Sequence, residues 1–102
     1  MKNNRFYVYA LLDPRKPGKY EYEDICFLYE PFYIGKGQYN RCNNHTRDAI
    51  KTNKNSHKLN KIRKILKQSS FSPIICKIST ELTNKKSIDI EKEYIEEIGR
   101  LD

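Results

Sequence analysis

Long apolar segments and paired cysteines are both missing from this sequence. No run approaches the roughly 18 apolar residues that a membrane span requires, and the apolar run after Arg5 ends at Asp13, which is too short for a secretion signal. The three cysteines, Cys26, Cys42 and Cys76, are odd in number and form no CxxC pair, so they support neither a disulfide framework nor a zinc site. These absences predict a cytoplasmic protein that does not span a membrane and whose thiols are reduced and mostly buried.

Internal repeats and low-complexity linkers are also missing. A chain of 102 residues and 12.2 kDa has room for one modest core, so a single domain is expected over residues 1–102. Lysine and arginine together number 20, against 13 aspartates and glutamates, which gives a net charge of +7. Such a surplus favours a polyanionic partner. Composition alone leaves nucleic acid and an anionic membrane surface both open.

Three segments have the character of β-strands. The run Arg5–Leu12 is aromatic and β-branched and stops before Asp13 and Pro14. The acid-rich segment 19–30 is expected to form a loop or a short hairpin arm that leads into a second strand through Ile34. A third strand is predicted within residues 71–80. The first two strands can pair as a hairpin, because a connection of this length permits an antiparallel return.

Three segments have helical periodicity. Apolar residues recur at steps of three and four from Gln38 to Thr52. A second helix begins at a cap formed by Asn55 or Ser56 and runs to about Gln68. The last runs from about residue 84 to residue 98 and stops at Gly99. The resulting order, β-β-α-α-β-α, predicts an α/β fold in which helices cover a small sheet.

One acidic residue of the last helix lies on its apolar side. At 100° per residue, an arc roughly 160° wide holds the apolar side chains, and Glu91 projects inside it. An ionised carboxylate facing a core needs a cation, hydrogen-bond donors or a raised pKa. The helix alone leaves three interpretations open: a metal ligand, an ion pair at the core margin, or a rotated helix with Glu91 in water. The arc consists of Ile88, Ile90, Tyr94, Ile95, Ile98 and Leu101.

Two tripeptides at the ends of the first two predicted strands form a paired motif. They are Tyr7-Val8-Tyr9 and Tyr33-Ile34-Gly35, and further polar residues follow them in order: Lys36, Arg41, His45 and Glu91. Each element alone is weak evidence, because a Tyr-Ile-Gly tripeptide occurs by chance in many chains. Together and in this order they span nearly the whole sequence, which therefore resembles the GIY-YIG nuclease superfamily.

The resemblance implies a fold, an activity and a set of site residues. It implies a three-stranded antiparallel sheet flanked by helices, and hydrolysis of DNA phosphodiester bonds with one divalent metal ion, Mg²⁺ or alternatively Mn²⁺. Tyr9 and Tyr33 correspond to the motif tyrosines, and Arg41 corresponds to the phosphate-binding arginine. His45 occupies a position that often holds His or Tyr, and Glu91 corresponds to the metal ligand.

The sequence departs from the family pattern in three places. Tyr7 replaces the first glycine of the motif, and the two motifs are further apart than in minimal members. Many members carry an asparagine beyond the glutamate helix, whereas this sequence stops at Asp102. A truncated or shortened catalytic unit is therefore one expectation.

The chemistry assigns a role to each tyrosine. Tyr9 is expected to activate water as a base and Tyr33 to act as a hydrogen-bonding positioner, although the reverse assignment is open. Arg41, Lys36 and a metal ion would favour the phenolate, and His45 would accept its proton. Lys36 and the second helix are expected to contact DNA phosphates. The contacting residues of that helix are His57, Lys58, Lys61 and Lys64.

Alternative functions remain open from the sequence. The chain could be a catalytically silent nucleic-acid-binding module that keeps the fold and the basic face. It could also be a DNA-repair incision domain of a larger complex, rather than a phage or mobile-element nuclease. Target choice is expected to come from an attached DNA-binding domain or from a partner subunit in a homodimer, or to be largely missing. The acid-rich segment 19–30 is expected to be a plain surface insertion or, alternatively, a dimer contact.

Overall fold

A computed structural model describes residues 5–22, 25–39, 41–52 and 56–98. The elements follow the predicted order β-β-α-α-β-α, with a short 3-10 turn at Arg41–Asn43 before the first α-helix. The strands are β1 (Phe6–Tyr22), β2 (Ile25–Gln38) and β3 (Ile74–Leu82), and the helices are α1 (Asn44–Lys51), α2 (His57–Gln68) and α3 (Asn84–Ile98).

The three strands form one antiparallel sheet in the order β2-β1-β3. The α/β fold expected from the sequence is confirmed. β1 and β2 form a longer hairpin than predicted, because β1 continues through Pro14 and Pro17 and includes part of the acid-rich segment. Prolines lack the N–H that a regular ladder uses. The register accordingly shifts between Asp13 and Pro17, and again between Pro17 and Tyr20.

The helices match the sequence prediction most closely towards the end of the chain. α3 spans the predicted residues 84–98, whereas its predicted stop at Gly99 lies outside the described residues. The hydroxyl of Ser56 caps α2 by accepting the Leu59 N–H at 3.1 Å. The first helix is shorter than predicted, since Gln38 still belongs to β2 and three residues form a 3-10 turn.

The sheet has a core on each face, because alternate residues of β1 point in opposite directions. Tyr7, Tyr9 and Leu11 face α1 and α2, where they pack with buried residues such as Ile62. The other face packs against α3. Its buried residues are Val8, Ala10, Leu12, Phe27 and Ile34, with Ile90, Tyr94 and Ile98 of α3 packed against them.

The buried stripe of α3 is narrower than the apolar arc read from the sequence. Ser87 is buried and Ile90 is half-buried, but Ile88 is 44% exposed and Ile95 is 38% exposed. A three-stranded sheet supports only a narrow strip of a helix that crosses it, so one edge of the arc faces solvent. Leu101, also assigned to the arc, lies outside the described residues.

The three thiols differ in their burial. Cys42 is buried and Cys76 is half-buried, but Cys26 is exposed, so burial of the thiols was only partly predicted. Among the helices of the described residues, none has the length and apolar character needed to cross a membrane.

Candidate active site

Gly35 allows two tyrosines to converge on the α1–α2 face of the sheet. Tyr9 of β1 pairs with Gly35 of β2, and its side chain is 3% exposed. A Cβ at position 35 would lie 2.9 Å from both Cζ and Oη of Tyr9 and 2.8 Å from Cε2 of Tyr33. These distances are shorter than real Cβ contacts, so the absence of a side chain at Gly35 creates the space that both rings use.

His45 and Lys58 complete a compact group of side chains around these rings. The Tyr9 hydroxyl is hydrogen-bonded to His45 Nε2. The rings of Tyr33 and His45 have centroids 5.0 Å apart, and those of Tyr9 and Tyr33 are 6.2 Å apart. Lys58 Nζ lies 4.6 Å from the centroid of the Tyr33 ring. We call these four residues, from β1, β2, α1 and α2, the tyrosine–histidine cluster.

Burial holds the two hydrogen-bonded members of the cluster in their neutral forms. Burial raises the pKa of Tyr9 well above its usual value, and Tyr33 and Cys42 raise it further. Burial also lowers the pKa of His45 to about 4, with a smaller lowering from the Lys58 cation. The sequence suggested that Arg41 and Lys36 would favour a Tyr9 phenolate, but the principal influences on the pKa of Tyr9, burial first, all raise it.

Glu91 approaches from α3, which packs against the opposite face of the sheet. Its side chain is half-buried, and burial raises the pKa of its carboxyl while the Lys36 cation lowers it. The negative charge of Glu91 contributes to the raised pKa of Tyr9. The carboxylate is therefore within electrostatic reach of the tyrosine–histidine cluster, although it comes from a different layer of the fold.

The surroundings of Glu91 fit a divalent cation. No side chain of the described residues hydrogen-bonds or ion-pairs with its carboxylate, so an oxygen donor in a desolvated place lacks a partner. The same part of the chain contains no group of three or more His, Cys, Asp or Glu residues that could hold a metal. A single carboxylate suits Mg²⁺, which keeps waters and substrate phosphate oxygens as its other ligands.

Arg41 is exposed at the start of the 3-10 turn, and Tyr7 fixes the backbone on both sides of it. The Tyr7 hydroxyl donates to the Tyr39 carbonyl at 2.7 Å and accepts the Cys42 N–H at 3.2 Å. Tyr39 has a φ of 53°, a left-handed conformation that a non-glycine residue rarely adopts. Sequence reasoning treated Tyr7 only as a replacement for a motif glycine. Side chains alternate between the two faces of a strand, so the sequence could have predicted that Tyr7 lies on the same face of β1 as Tyr9.

The structure separates the residues that were predicted to contact DNA. Lys58 belongs to the tyrosine–histidine cluster. Lys36 lies on the α3 side of the sheet, where its Nζ is 3.2 Å from Asn84 Oδ1. His57, Lys61 and Lys64 line a separate cavity of about 410 Å³.

Comparison with known proteins identifies a family. The family model described as "LEM-3-like GIY-YIG domain" matches residues 6–101, which is nearly the whole chain. No curated protein and no solved structure matches the sequence.

Proposed function

The chain belongs to the LEM-3-like GIY-YIG domain family, and on this premise we propose that it is a divalent-metal-dependent endonuclease that hydrolyses DNA phosphodiester bonds. Family membership implies a nuclease-type function acting on DNA. The observation that carries the finer proposal is the half-buried carboxylate of Glu91, which lies within electrostatic reach of Tyr9 and has no hydrogen bond or ion pair from a side chain of the described residues.

Glu91 would hold the metal ion, with Mg²⁺ as the first candidate and Mn²⁺ as the second. A bound ion of this kind supplies positive charge that stabilises the phosphoryl oxygens as negative charge develops on them. Lys36 neighbours Glu91 and would add a further cation at the same end of the site. Arg41, exposed and held in place through Tyr7, offers a planar guanidinium that matches phosphate oxygens.

Tyr9 and His45 would move the proton of the attacking water. A free Tyr9 phenolate is strongly disfavoured, since burial raises the pKa of this hydroxyl. A relay avoids that species: Tyr9 accepts a proton from water while its own proton passes to His45 Nε2. The hydrogen bond between the two side chains supports this path, provided that the neutral imidazole carries its proton on Nδ1. Tyr33 and Lys58 would position the phosphate.

The deciding experiment is a plasmid-nicking assay with Mg²⁺ and with EDTA. Glu91→Gln is expected to abolish metal-dependent nicking, because an amide cannot replace the negative ligand. Glu93→Gln is the matched control, since Glu93 lies on the same helix but is exposed, and it should nick like the unmodified chain. Tyr9→Phe should slow nicking by about 10²- to 10⁴-fold, the usual range for losing a general base.

Two results would contradict the proposal. Equal nicking by Glu91→Gln and the unmodified chain would remove Glu91 from the reaction, and unchanged rates for Tyr9→Phe would remove the relay. DNA binding without nicking under any metal condition would instead indicate a catalytically silent binding module. The assay therefore separates the enzyme from its principal alternative.

A further inference from the structure

A second concave site lies on another side of α2 from the tyrosine–histidine cluster. The cavity of about 410 Å³ is lined by Arg15 and Lys16 of β1 and by His57, Asn60, Lys61 and Lys64 of α2. We call it the basic cavity. Its volume is many times the share of about 30 Å³ that one water molecule occupies in the liquid. Every lining residue is polar, and five of the six are basic amino acids.

A buried carboxylate fixes one wall of this cavity. The Asp13 side chain is 0% exposed. Its Oδ1 accepts Arg15 N and Nε, each at 2.9 Å, and its Oδ2 accepts Arg15 Nη2 at 2.7 Å. Burial alone would raise the pKa of Asp13, but the Arg15 hydrogen bonds and the nearby Lys61 lower it below its usual value. The ionised carboxylate therefore holds the guanidinium in one orientation.

The cations at the basic cavity outnumber the carboxylates that pair with them. Lys16 and Lys61 share Glu30, at 3.4 Å and 3.2 Å, and Lys61 is also 3.8 Å from Asp13. Four permanent cations, Arg15, Lys16, Lys61 and Lys64, thus face two carboxylates, which leaves a surplus of two positive charges. This surplus of positive charge favours an anionic ligand.

Donor groups remain for a ligand after the internal bonds are made. Arg15 has five N–H groups on its guanidinium. Two of them bond to Asp13 and one bonds to Gln68 Oε1 at 2.6 Å, so two remain. Lys64 is exposed and forms no ion pair within the described residues. Arginine and lysine N–H groups around a concave surface match the oxygens of a phosphate group.

We propose that the basic cavity binds a backbone phosphodiester of DNA away from the bond that is cleaved. This inference rests on the proposed function, because it extends the DNA footprint of the same domain. Around α2, Lys58 projects about 100° from His57 and about 60° from Lys61, so the two sites lie on neighbouring sides of one helix. The DNA strand would be anchored at the basic cavity while the scissile phosphate lies at the tyrosine–histidine cluster. Phosphate contacts of this kind add affinity without reading sequence.

The double variant Lys16→Ala/Lys64→Ala tests the site without requiring cleavage. Binding of a fluorescently labelled DNA duplex is measured in EDTA by anisotropy over a series of salt concentrations. The dissociation constant at physiological ionic strength should rise about tenfold or more, and the slope of log K against log salt should fall by about 2, one for each lost phosphate cation.

The matched control is Lys19→Ala/Lys92→Ala, which removes the same charge from outside the cavity. Lys19 matches Lys16, because both are exposed hairpin lysines paired with a glutamate: Lys19 with Glu21 at 2.9 Å and Lys16 with Glu30. Lys92 matches Lys64, because both are exposed on a helix. Its DNA affinity should stay within about twofold of the unmodified chain. Equal weakening in both double variants would show that only net charge matters and would overturn the proposal.

Two further binding experiments test whether the basic cavity binds DNA phosphate, a lipid headgroup or free phosphate. In these measurements, vesicles containing anionic lipid, or inorganic phosphate alone, replace DNA as the probe. Selective loss of binding to either probe, with DNA binding intact, would also overturn the assignment. Failure of the nuclease proposal is distinguishable, because a chain that never nicks plasmid can still show the expected loss of DNA affinity in EDTA.

Discussion

At the scale of single residues, the Tyr9 hydroxyl combines two opposing properties. It is almost fully buried, which disfavours its ionised form, yet it is hydrogen-bonded to an imidazole that is itself held neutral. Gly35 makes this arrangement sterically feasible, because any side chain there would overlap the Tyr9 ring. Proton movement at Tyr9 therefore depends on His45 rather than on a standing phenolate.

His45 should make the stability of the folded chain depend on pH. Its pKa is 6.5 unperturbed and about 4 when folded, so between these values the unfolded chain binds more protons. Protonation then favours unfolding as pH falls, and the stabilisation present above about pH 6.5 is lost towards pH 4. His45→Gln removes this titration. The free energy of unfolding of the unmodified chain, relative to His45→Gln, should fall by about 1–2 kcal/mol across that window, a value reduced for partial exposure.

Urea denaturation at several pH values measures this difference. The matched variant is His57→Gln, which removes an exposed imidazole by the same substitution. The measured quantity is the difference in free energy of unfolding between the unmodified chain and His45→Gln. If this difference stays constant from neutral pH to pH 4, the imidazole of His45 is not buried in its neutral form.

At the scale of elements, α2 contributes residues to the core, to the tyrosine–histidine cluster and to the basic cavity. Its apolar side, Leu59, Ile62 and Ile65, is buried against the sheet. A second side brings Lys58 to the Tyr33 ring, and a third lines the basic cavity. The helix therefore couples both proposed phosphate sites to one core, and anything that loosens its first turn should affect both.

Ser56→Ala should destabilise α2 from its N-terminus. The hydroxyl accepts the Leu59 N–H, and loss of such a cap costs about 1 kcal/mol. Ser72→Ala is a suitable control, because Ser72 is exposed and lies outside the helices and strands. Chemical denaturation should show the loss for Ser56→Ala alone. Identical midpoints for the two variants would mean that the cap contributes nothing to stability.

At the scale of the whole molecule, a three-stranded sheet divides the apolar residues between two cores. α1 and α2 cover one face and α3 covers the other, so the side chains of the candidate site come from both layers. The negative charge of Glu91 on α3 acts on the pKa of Tyr9 across this division. The two-layer arrangement also determines which isoleucines contribute to stability. Isoleucines on the apolar sides of different helices have similar sequence patterns but different exposure to solvent.

Ile62→Ala and Ile88→Ala provide a direct comparison. Ile62 of α2 is 0% exposed, whereas Ile88 of α3 is 44% exposed. Truncation of a buried isoleucine costs about 2–5 kcal/mol, while a change at an exposed position usually stays within about 0.5 kcal/mol. Thermal or urea unfolding should therefore separate the two variants widely. A loss for Ile88→Ala as large as that for Ile62→Ala would indicate that the outer edge of α3 is covered.

The sequence by itself determined the order of elements and the bounds of α3, and it identified the paired tyrosine motif. These features depend on local periodicity, capping and composition, which neighbouring residues fix among themselves. Family membership followed from the same residues, and the match over residues 6–101 confirmed it. The roles of Tyr9, Tyr33, Arg41, His45 and Glu91 stay predictions that the nicking assay tests.

Only the tertiary structure decided the surroundings of those residues. It brought His45 to the Tyr9 hydroxyl, used Tyr7 to hold the turn at Arg41, and joined Arg15 to α2 in the basic cavity. It also exposed one edge of the apolar arc on α3. The physical reason is that desolvation and hydrogen bonding act between side chains that are adjacent in space, and residues dozens of positions apart become neighbours only after the sheet and helices have packed.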